Sequence, residues 1–516
     1  MAPPPIRVVS PATGELLAEV PDEGAPGITA AIDAARAAGP GWASRPLAER
    51  VEALKSWRDR VLDDAYSVAG TLVAESGKPR HEAEAFEILY LCELIRFASR
   101  AARRVLAEET RNPFLFVTKK TRLRRTPLGV VGVIGPWNFP ILNNAGDAVG
   151  PLLTGNTVVL KPSELTPLTS LHLRDLWVKA GNPPDVFRVV TGRGEAGAEL
   201  VSRADGIMFT GSVATGRKVA SRAGERLIPC VTELGGKSPF VVLAGADLER
   251  AAEAATWSSF IHSGQACIRT ERIYVEDPVA DRFEELLVDR VRALRPWAPD
   301  SRSSGPHDLG AVTFAGQVEV VERQIADATA KGARVAVGGT RESDPAGQFF
   351  PPTVLFGANN SMEVMREETF GPLVPVMRVK DAAEALRLAN DTHLGLNATV
   401  FGPRRTAVAF ARRLQSGQVM VNDVLVNYFV VESPLGGWKS SGLGVRHGVE
   451  SLRQWTRIEA ITEGRPLLAL LERFVARKLA FPYDPRFLTV LRRASRLLYR
   501  RGIAEKLRRP GKVTSS

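Results

Sequence analysis

The sequence predicts an α/β protein with two parallel-sheet lobes, and three observations lead there. Short apolar runs alternate with amphipathic helical stretches from Gly129 to about Val431. The chain has 516 residues, too many for one ordinary core. Residues from about Pro26 to Glu108 read instead as helices.

The elements follow in order. Ile28, Ala31, Ile32 and Ala35 stand at i, i+3, i+4 and i+7, and Val51, Leu54, Trp57, Val61 and Leu62 continue the rhythm. Residues 114–125, FLFVTKKTRLRR, partly alternate apolar and basic side chains, which predicts a projecting hairpin. Strands are then expected at 130–134, 157–160, 186–190 and 206–209, with helices at 168–180, 196–202 and 212–223. Alternation at this spacing needs right-handed parallel crossovers, a Rossmann-like architecture. A second alternation starts at 239–243. It has helices at 248–260, 281–294 and 317–331, and strands at 273–275, 334–337 and 399–401. No internal repeat is visible.

Composition excludes several classes. Apolar residues make up 44% and charged residues 24%, as in a soluble globular protein. No apolar run reaches the roughly 18 residues of a membrane span, and MAPPPIRVVSPATGE has no signal-peptide pattern. A cytoplasmic location is expected. The net charge of +11 is local: the stretch from Arg465 to Ser516 holds fourteen Lys/Arg and three Asp/Glu, which accounts for all of it. The first 464 residues are neutral, so the whole-chain charge does not argue for nucleic acid binding. Cys92, Cys230 and Cys267 cannot form a disulfide framework or a zinc pair. His81-Glu82 lacks a second histidine at Ala85. No catalytic metal is expected.

Four segments carry chemistry, each with a plainer alternative. Phe209-Thr-Gly-Ser-Val-Ala-Thr-Gly216 ends a strand and enters a helix, where free N–H groups hold a pyrophosphate or simply form a turn. Leu160-Lys-Pro-Ser-Glu164 offers a lysine and a glutamate to ribose hydroxyls, or caps the next helix. Glu233-Leu-Gly-Gly-Lys-Ser-Pro239 places a carboxylate after an apolar run, poised as a base or solvated. In Gly264-Gln-Ala-Cys267, a lone cysteine is usually an inert core residue. Its glycine and polar neighbours instead predict a loop or helix start that lowers the thiol pKa. Cys92 and Cys230 have apolar neighbours and fit the inert reading.

With Pro136-Trp-Asn-Phe-Pro140, Glu368-Thr-Phe-Gly-Pro372 and Pro434-Leu-Gly-Gly-Trp-Lys-Ser-Ser-Gly442 added, these segments resemble the aldehyde dehydrogenase superfamily, in colinear order over roughly residues 8 to 463. The resemblance implies roles residue by residue. Cys267 is the nucleophile, Glu233 the general base and Asn138 an oxyanion donor. Lys161 and Glu164 contact the adenosine ribose, and Gly211 and Ser212 lie under the pyrophosphate. Glu368 holds the nicotinamide ribose and Phe370 packs near the ring. Trp137 and Ser163 join the cofactor contacts. An aldehyde is then oxidised to an acid through a cysteine thiohemiacetal and a thioester hydrolysed by glutamate-activated water. Glu164 would repel a 2′-phosphate, which favours NAD with NADP as the second choice. CoA-acylating relatives generally lack the base, so Glu233 argues for hydrolysis. A non-catalytic scaffold keeping the fold would be expected to have lost Cys267 or Glu233, and neither is lost.

The resemblance also implies a domain plan: residues 1–110 and 129–235 binding cofactor, 236–435 catalytic, 111–128 and 450–463 forming an oligomerisation flap, and 465–516 a basic extension. A homodimer or homotetramer is expected. His262 stands where many relatives have asparagine, a change that reads as neutral. Ile268, Trp137, Phe260 and Phe429 point to an apolar entrance. Glu271-Arg-Ile-Tyr-Val275 resembles tailed relatives, some assigned to succinate semialdehyde, while other tailed relatives act on long-chain aldehydes at membranes. In the extension, Phe487, Val490, Leu491, Ala494, Leu497 and Leu498 share one helical face, opposite Arg492, Arg493, Arg496 and Arg500. Such a helix lies on anionic lipid, or packs its apolar stripe on protein.

Overall fold

The computed structural model describes residues 3–113, 116–295, 307–341, 348–482 and 484–502. Phe114 and Leu115 of the expected hairpin, and the extension beyond residue 502, lie outside them. Two compact units divide the chain, Met1–Leu106 with Thr126–Arg457, and Ala107–Arg125 with Ile458–Ser516.

The first unit opens on an antiparallel hairpin, Ile6–Val9 against Leu16–Val20, which the sequence reading did not anticipate because its strands are too short for a periodic signal. The helices Gly24–Ala43, Leu47–Asp63, Ala65–Ser76 and Leu89–Leu106 follow as expected. The first sheet has six strands among the described residues. Val130–Ile134 is central and pairs in parallel with Thr157–Lys161 on one side and Gly206–Thr210 on the other. Phe187–Val189 and Cys230–Glu233 extend it outward, also in parallel. Helices cover both faces, so the central strand is a continuous apolar run rather than an alternating one. Gly132 within it is a packing requirement: a Cβ there would stand 2.8 Å from the Leu200 side chain of the helix Gly194–Arg203.

Among the described residues the second sheet has seven strands, all parallel except the edge strand Arg334–Val337. Pro239–Val242 lies between Arg272–Glu276 and Asn397–Phe401. The strands Thr353–Phe356, Leu373–Val379 and Gln418–Val421 were not anticipated. Residues 436–449, which the sequence reading assigned to no lobe, return to the first sheet, where Gly442–Leu443 pairs antiparallel with Cys230–Glu233.

The second unit is built on the strands Glu109–Arg111, Lys119–Pro127 and Thr456–Gly464. Cross-strand charges line it: Arg122 lies 3.0 Å from Glu463 and 3.5 Å from Glu108, and Arg124 pairs with Glu459. These pairs are largely solvated and contribute little each. The helices Ala469–Leu479 and Pro485–Tyr499 follow. Among the described residues no helix is long and apolar enough to cross a membrane.

In the first unit Trp177 is fully buried, with ring centroids 5.6 Å from Trp57 and 5.9 Å from Phe187, and its indole N–H donates to the Pro183 carbonyl at 2.9 Å. Trp177→Ala is expected to cost about 3–5 kcal/mol, read as a lowered Tm in thermal unfolding. An unchanged Tm would show that the aromatic cluster closes over the gap.

Candidate active site

The site forms where the chain passes from one sheet to the other. Cys230–Glu233 is the last parallel strand of the first sheet, and Pro239 begins the second. Two glycines lie in the crossing. A Cβ on Gly235 would stand 2.4 Å from a Glu368 carboxylate oxygen, and one on Gly236 would stand 2.8 Å from the Cys267 carbonyl oxygen. Only glycine lets the crossing backbone approach both groups so closely. The motif around Pro434–Gly442 stitches the crossing in place: Leu234 N–H donates to the Ser441 carbonyl at 3.0 Å, and Ser441 Oγ donates to the Gly235 carbonyl at 2.7 Å.

Glu233 is buried, and its Oε1 has no hydrogen-bond partner. Burial pushes its carboxyl up to about 8; the Arg446 charge opposes this and Asp147 adds to it. Arg446 was not foreseen. It is buried, bonds both oxygens of Asp147 at 2.8 Å, and donates to Tyr428 Oη at 2.8 Å and Thr210 Oγ1 at 2.7 Å. Thr210 is the register partner of Glu233 across the sheet. Tyr428 in turn donates to Asn143 Oδ1 at 2.9 Å.

Cys267 sits in a clamped loop. His262 and Ser263 ahead of it both have positive φ, 48° and 52°, a conformation costly for residues other than glycine. Asparagine and histidine both tolerate this conformation; the His262 N–H donates to Glu82 at 3.1 Å and its ring stands edge-on to Phe139. Gly264 has φ +76°, and a Cβ there would lie 2.1 Å from the Gly371 carbonyl oxygen. Gln265 fixes the loop further, donating to the His262 carbonyl at 3.0 Å and accepting from Thr313 N–H at 2.9 Å. Asn397 donates to the Ile268 carbonyl at 2.9 Å.

The expected lowering of the Cys267 thiol pKa is not what the structure shows. Burial pushes the thiol up to about 12, Arg446 opposes, and the Glu233 and Glu368 charges add to the rise. Polar neighbours in sequence do not count when the loop folds them away and two carboxyls face the sulfur instead. Cys92 and Cys230 are free thiols, also raised by burial.

Asn138 is buried; one amide N–H donates to the Gln265 carbonyl at 2.8 Å, leaving the second for another acceptor. Its own carbonyl accepts from Lys78 Nζ at 2.8 Å. Lys78 pairs with Glu87, and Glu87 accepts from Ile141 N–H at 2.8 Å and Leu142 N–H at 3.3 Å. This buried pair holds both sides of the Asn138 turn, which leads into the π-helical segment Ile141–Ala145.

Cys267, Glu233 and Asn138 line one cavity of about 310 Å³, with Trp137, Gly211, Ser212, Glu368 and Phe370. Lys161, Ser163 and Glu164 are not in its lining. They stand at the carboxyl end of the strand Thr157–Lys161, with Lys161 Nζ 3.6 Å from Glu164 and Ser163 Oγ accepting from Leu165 N–H at 3.2 Å. Ser163 thus caps its own turn. The Ser212 hydroxyl caps the helix Val213–Glu225, which starts at the carboxyl end of its strand. Glu368 accepts from Gly236 N–H at 3.0 Å, and burial raises its carboxyl to about 7, with the Glu271 charge adding. Phe370 has φ +52° and stands edge-on to Trp137 at 5.4 Å.

Glu271 holds the Phe370 segment by accepting from Thr369 N–H at 3.0 Å and Phe370 N–H at 3.1 Å. Burial favours its neutral form, but the charges of Arg269 at 2.6 Å and Lys237 at 2.5 Å outweigh that and keep its pKa at about 2. A cleft at the carboxyl ends of parallel strands, with a glycine and a capped helix start at one side and a carboxylate at the other, fits a dinucleotide. Among the described residues no group of three or more His, Cys, Asp or Glu is arranged to hold a metal ion.

Comparisons with known proteins agree with this geometry. Residues 2–461 match the model of the aldehyde dehydrogenase family. A Mycolicibacterium smegmatis protein, provisionally named an NADP(+) succinate-semialdehyde dehydrogenase, is 41% identical over 458 residues, 88% of each chain. The 4,4'-diapolycopene aldehyde oxidase of a Methylomonas species is 38% identical over 87% of this chain and 83% of its own. Among solved structures, a Burkholderia pseudomallei succinate-semialdehyde dehydrogenase superposes with TM-score 0.85 at 35% identity, covering 89% of this chain and 95% of its own. A Mycobacterium tuberculosis aldehyde dehydrogenase complexed with NAD+ gives 0.84 at 32%, covering 89% and 94%.

Because the Cys267 thiol is raised to about 12, its alkylation by iodoacetamide in the free protein should quicken about tenfold per pH unit between pH 7 and 10, followed by mass spectrometry. Replacing both charges of the buried pair, Asp147→Asn with Arg446→Met, should slow labelling at every pH, since Arg446 is the group holding the thiol down. A plateau reached below pH 9 would contradict the burial effect.

Proposed function

The chain belongs to the aldehyde dehydrogenase family and is an oxidoreductase that acts on aldehydes with a nicotinamide cofactor, and from that premise we propose how its residues divide the work. Cys267 adds its sulfur to the aldehyde carbon to form a thiohemiacetal. The acceptor for its proton is Glu233, whose Oε1 is unpartnered in the same cavity. The oxyanion receives hydrogen bonds from the free Asn138 amide N–H and the Cys267 backbone N–H; loss of one such donor costs roughly 3–4 kcal/mol of transition-state stabilisation. Collapse of the oxyanion expels hydride and leaves a thioester on Cys267. Glu233 passes the thiol proton to solvent, then takes a proton from the water that attacks the thioester and returns it to the departing Cys267 sulfur, so that the acid leaves and the thiol is restored. One observation carries this reading: three segments far apart in sequence bring Cys267, Glu233 and Asn138 to one cavity.

The nicotinamide, when bound, supplies the hydride acceptor. Gly211 and Ser212 at the capped helix start would hold the pyrophosphate, Lys161 and Glu164 the adenosine ribose, and Glu368 the nicotinamide ribose, with Phe370 and Trp137 shaping the cleft and Ser163 holding the turn that carries Glu164. NAD is the proposed preference, because Glu164 places a carboxylate where a 2′-phosphate would sit. The NADP(+) in the name of the M. smegmatis relative makes Glu164 the residue to test.

An apolar aldehyde is the proposed substrate class. No lysine or arginine is among the described residues lining the cavity, and four of the five Arg446 N–H donors are engaged by Asp147, Tyr428 and Thr210. A second carboxylate finds no free cation there. The name of the M. smegmatis relative favours a second reading, succinate semialdehyde. We further propose a homodimer or homotetramer working in the cytoplasm, peripheral to a bilayer through residues 465–516.

Cys267→Ser should abolish aldehyde-dependent NADH formation, followed at 340 nm; full activity would remove Cys267 from the mechanism. Glu233→Gln should give one burst of NADH and then slow turnover as thioester accumulates, and a steady wild-type rate would exclude the base role. The sign of the pH dependence follows from the raised carboxyl: Glu233 accepts protons only when ionised, so kcat should climb as pH rises through about 8. Glu164→Gln should raise the NADP/NAD ratio of kcat/KM. Across aldehydes, kcat/KM for decanal should exceed that for succinate semialdehyde by at least about tenfold, in line with the transfer free energy of a few buried methylenes; the reverse order would favour the second reading.

A further inference from the structure

We propose that the helix Pro485–Tyr499 is a docking surface for an anionic phospholipid bilayer. This deepens the peripheral reading above by naming the face, the lipid charge and the residues, and it does not depend on the chemistry at Cys267.

The first observation is an uncovered apolar stripe. None of the residues of Pro485–Tyr499 is buried, and Val490, Leu491, Leu497 and Leu498 on its apolar face are 39–58% exposed. At 100° per residue these four, with Phe487 and Ala494, lie within a single band of the helix. The preceding helix Ala469–Leu479 also has no buried residue, and Leu470 and Phe474 on it are 83% and 60% exposed. Solvent-facing apolar side chains at this density mark a surface that something covers.

The second observation is charge. Arg492 and Arg496 lie opposite the stripe and Arg486 and Arg493 flank it, and the only acidic residues from 465 to 502 are Glu472 and Asp484, against ten Lys/Arg. Asp484 is occupied at the helix start, where it caps Arg486 N–H at 2.9 Å and pairs with Lys478 at 2.7 Å. The core of the chain is neutral, so this field is confined to the extension. A bilayer with anionic headgroups uses both faces at once: acyl chains take the stripe and phosphates take the arginines, with the helix in the interface plane. A polyanion such as nucleic acid would engage the arginines and leave the stripe in water.

The test uses the full chain and sedimentation with vesicles of phosphatidylcholine alone or with 30 mol% phosphatidylserine, a composition on the order of that of an anionic leaflet. Binding to the anionic vesicles, weakened by 0.5 M salt on the order of a Debye length of a few ångströms, is the expected result. Arg492→Gln with Arg493→Gln should weaken it by about 30-fold, the equivalent of about 1 kcal/mol per basic residue, and Arg→Lys at both positions should restore it. Leu491→Ser with Leu498→Ser should abolish it.

Oxidation of a short soluble aldehyde should be unchanged in all of these variants, which separates failure of docking from failure of the proposed chemistry. No sedimentation with anionic vesicles would overturn the proposal. So would equal binding to both vesicle types, or Arg→Gln variants that bind as tightly as wild type. A smaller oligomer in the Leu→Ser variant, without any vesicle binding by wild type, would assign the stripe to a second copy of this chain and overturn the proposal as well.

Discussion

The site depends on one chain crossing. Between Glu233 and Pro239 the backbone leaves the first sheet and enters the second, and every group in the cavity is placed relative to that passage. Gly235 and Gly236 admit Glu368 and the Cys267 loop to within contact of the crossing backbone. Ser441 ties it from behind, so the Pro434–Gly442 segment serves the site without lining it. This is why glycine and serine dominate the most recognisable motifs. In the crossing, Gly235, Gly236 and Ser441 set how close the chemical groups come to one another.

Burial then fixes the electrostatics. Three buried ion-pair systems surround the cavity: Lys78–Glu87 at the Asn138 turn, Lys237–Glu271–Arg269 at the Phe370 segment, and Asp147–Arg446 beside Glu233. Buried pairs of this kind contribute little net stability, because desolvation offsets their attraction. Their value here is placement, since each bonds the backbone or side chain of a residue that faces the cavity. The groups left without a partner charge respond as isolated buried acids do. Glu233, Glu368 and Cys267 are all raised, which shifts each toward its protonated form. Arg446 is the cation whose charge eases ionisation of both Glu233 and Cys267.

Much of this was legible in the sequence because it is local. The run Val130–Ile134 is a strand by composition and is fully buried, and Ser212 announces the helix it caps. The ordered motifs located Cys267, Glu233 and Asn138, which the structure brings to one cavity. What was not legible is tertiary. Arg446 and Asp147 are 299 residues apart, and each alone reads as an ordinary surface charge. The hairpin Ile6–Val9 with Leu16–Val20 is too short to give a period. The Cys267 pKa went in the opposite direction because a sequence shows which residues precede a thiol but neither how deeply it is buried nor which carboxyls fold against it. The left-handed φ of His262 is likewise visible only in the folded loop.

The extension obeys different rules from the rest of the chain, and that difference is itself informative. In the core, apolar side chains on helices face other elements: Leu54, Trp57 and Val61 of Leu47–Asp63 are fully buried, and its polar face carries charges of both signs. The helix Pro485–Tyr499 has an equally regular apolar stripe, but with nothing buried and arginine as its only charged residue type. A helix made to pack on its own core, whose net charge is zero, would gain little from a single-sign set of arginines. Mixed charges would solvate the outer face equally well at lower self-repulsion. A regular stripe joined to a single-sign face therefore selects for a partner that is apolar and anionic at once.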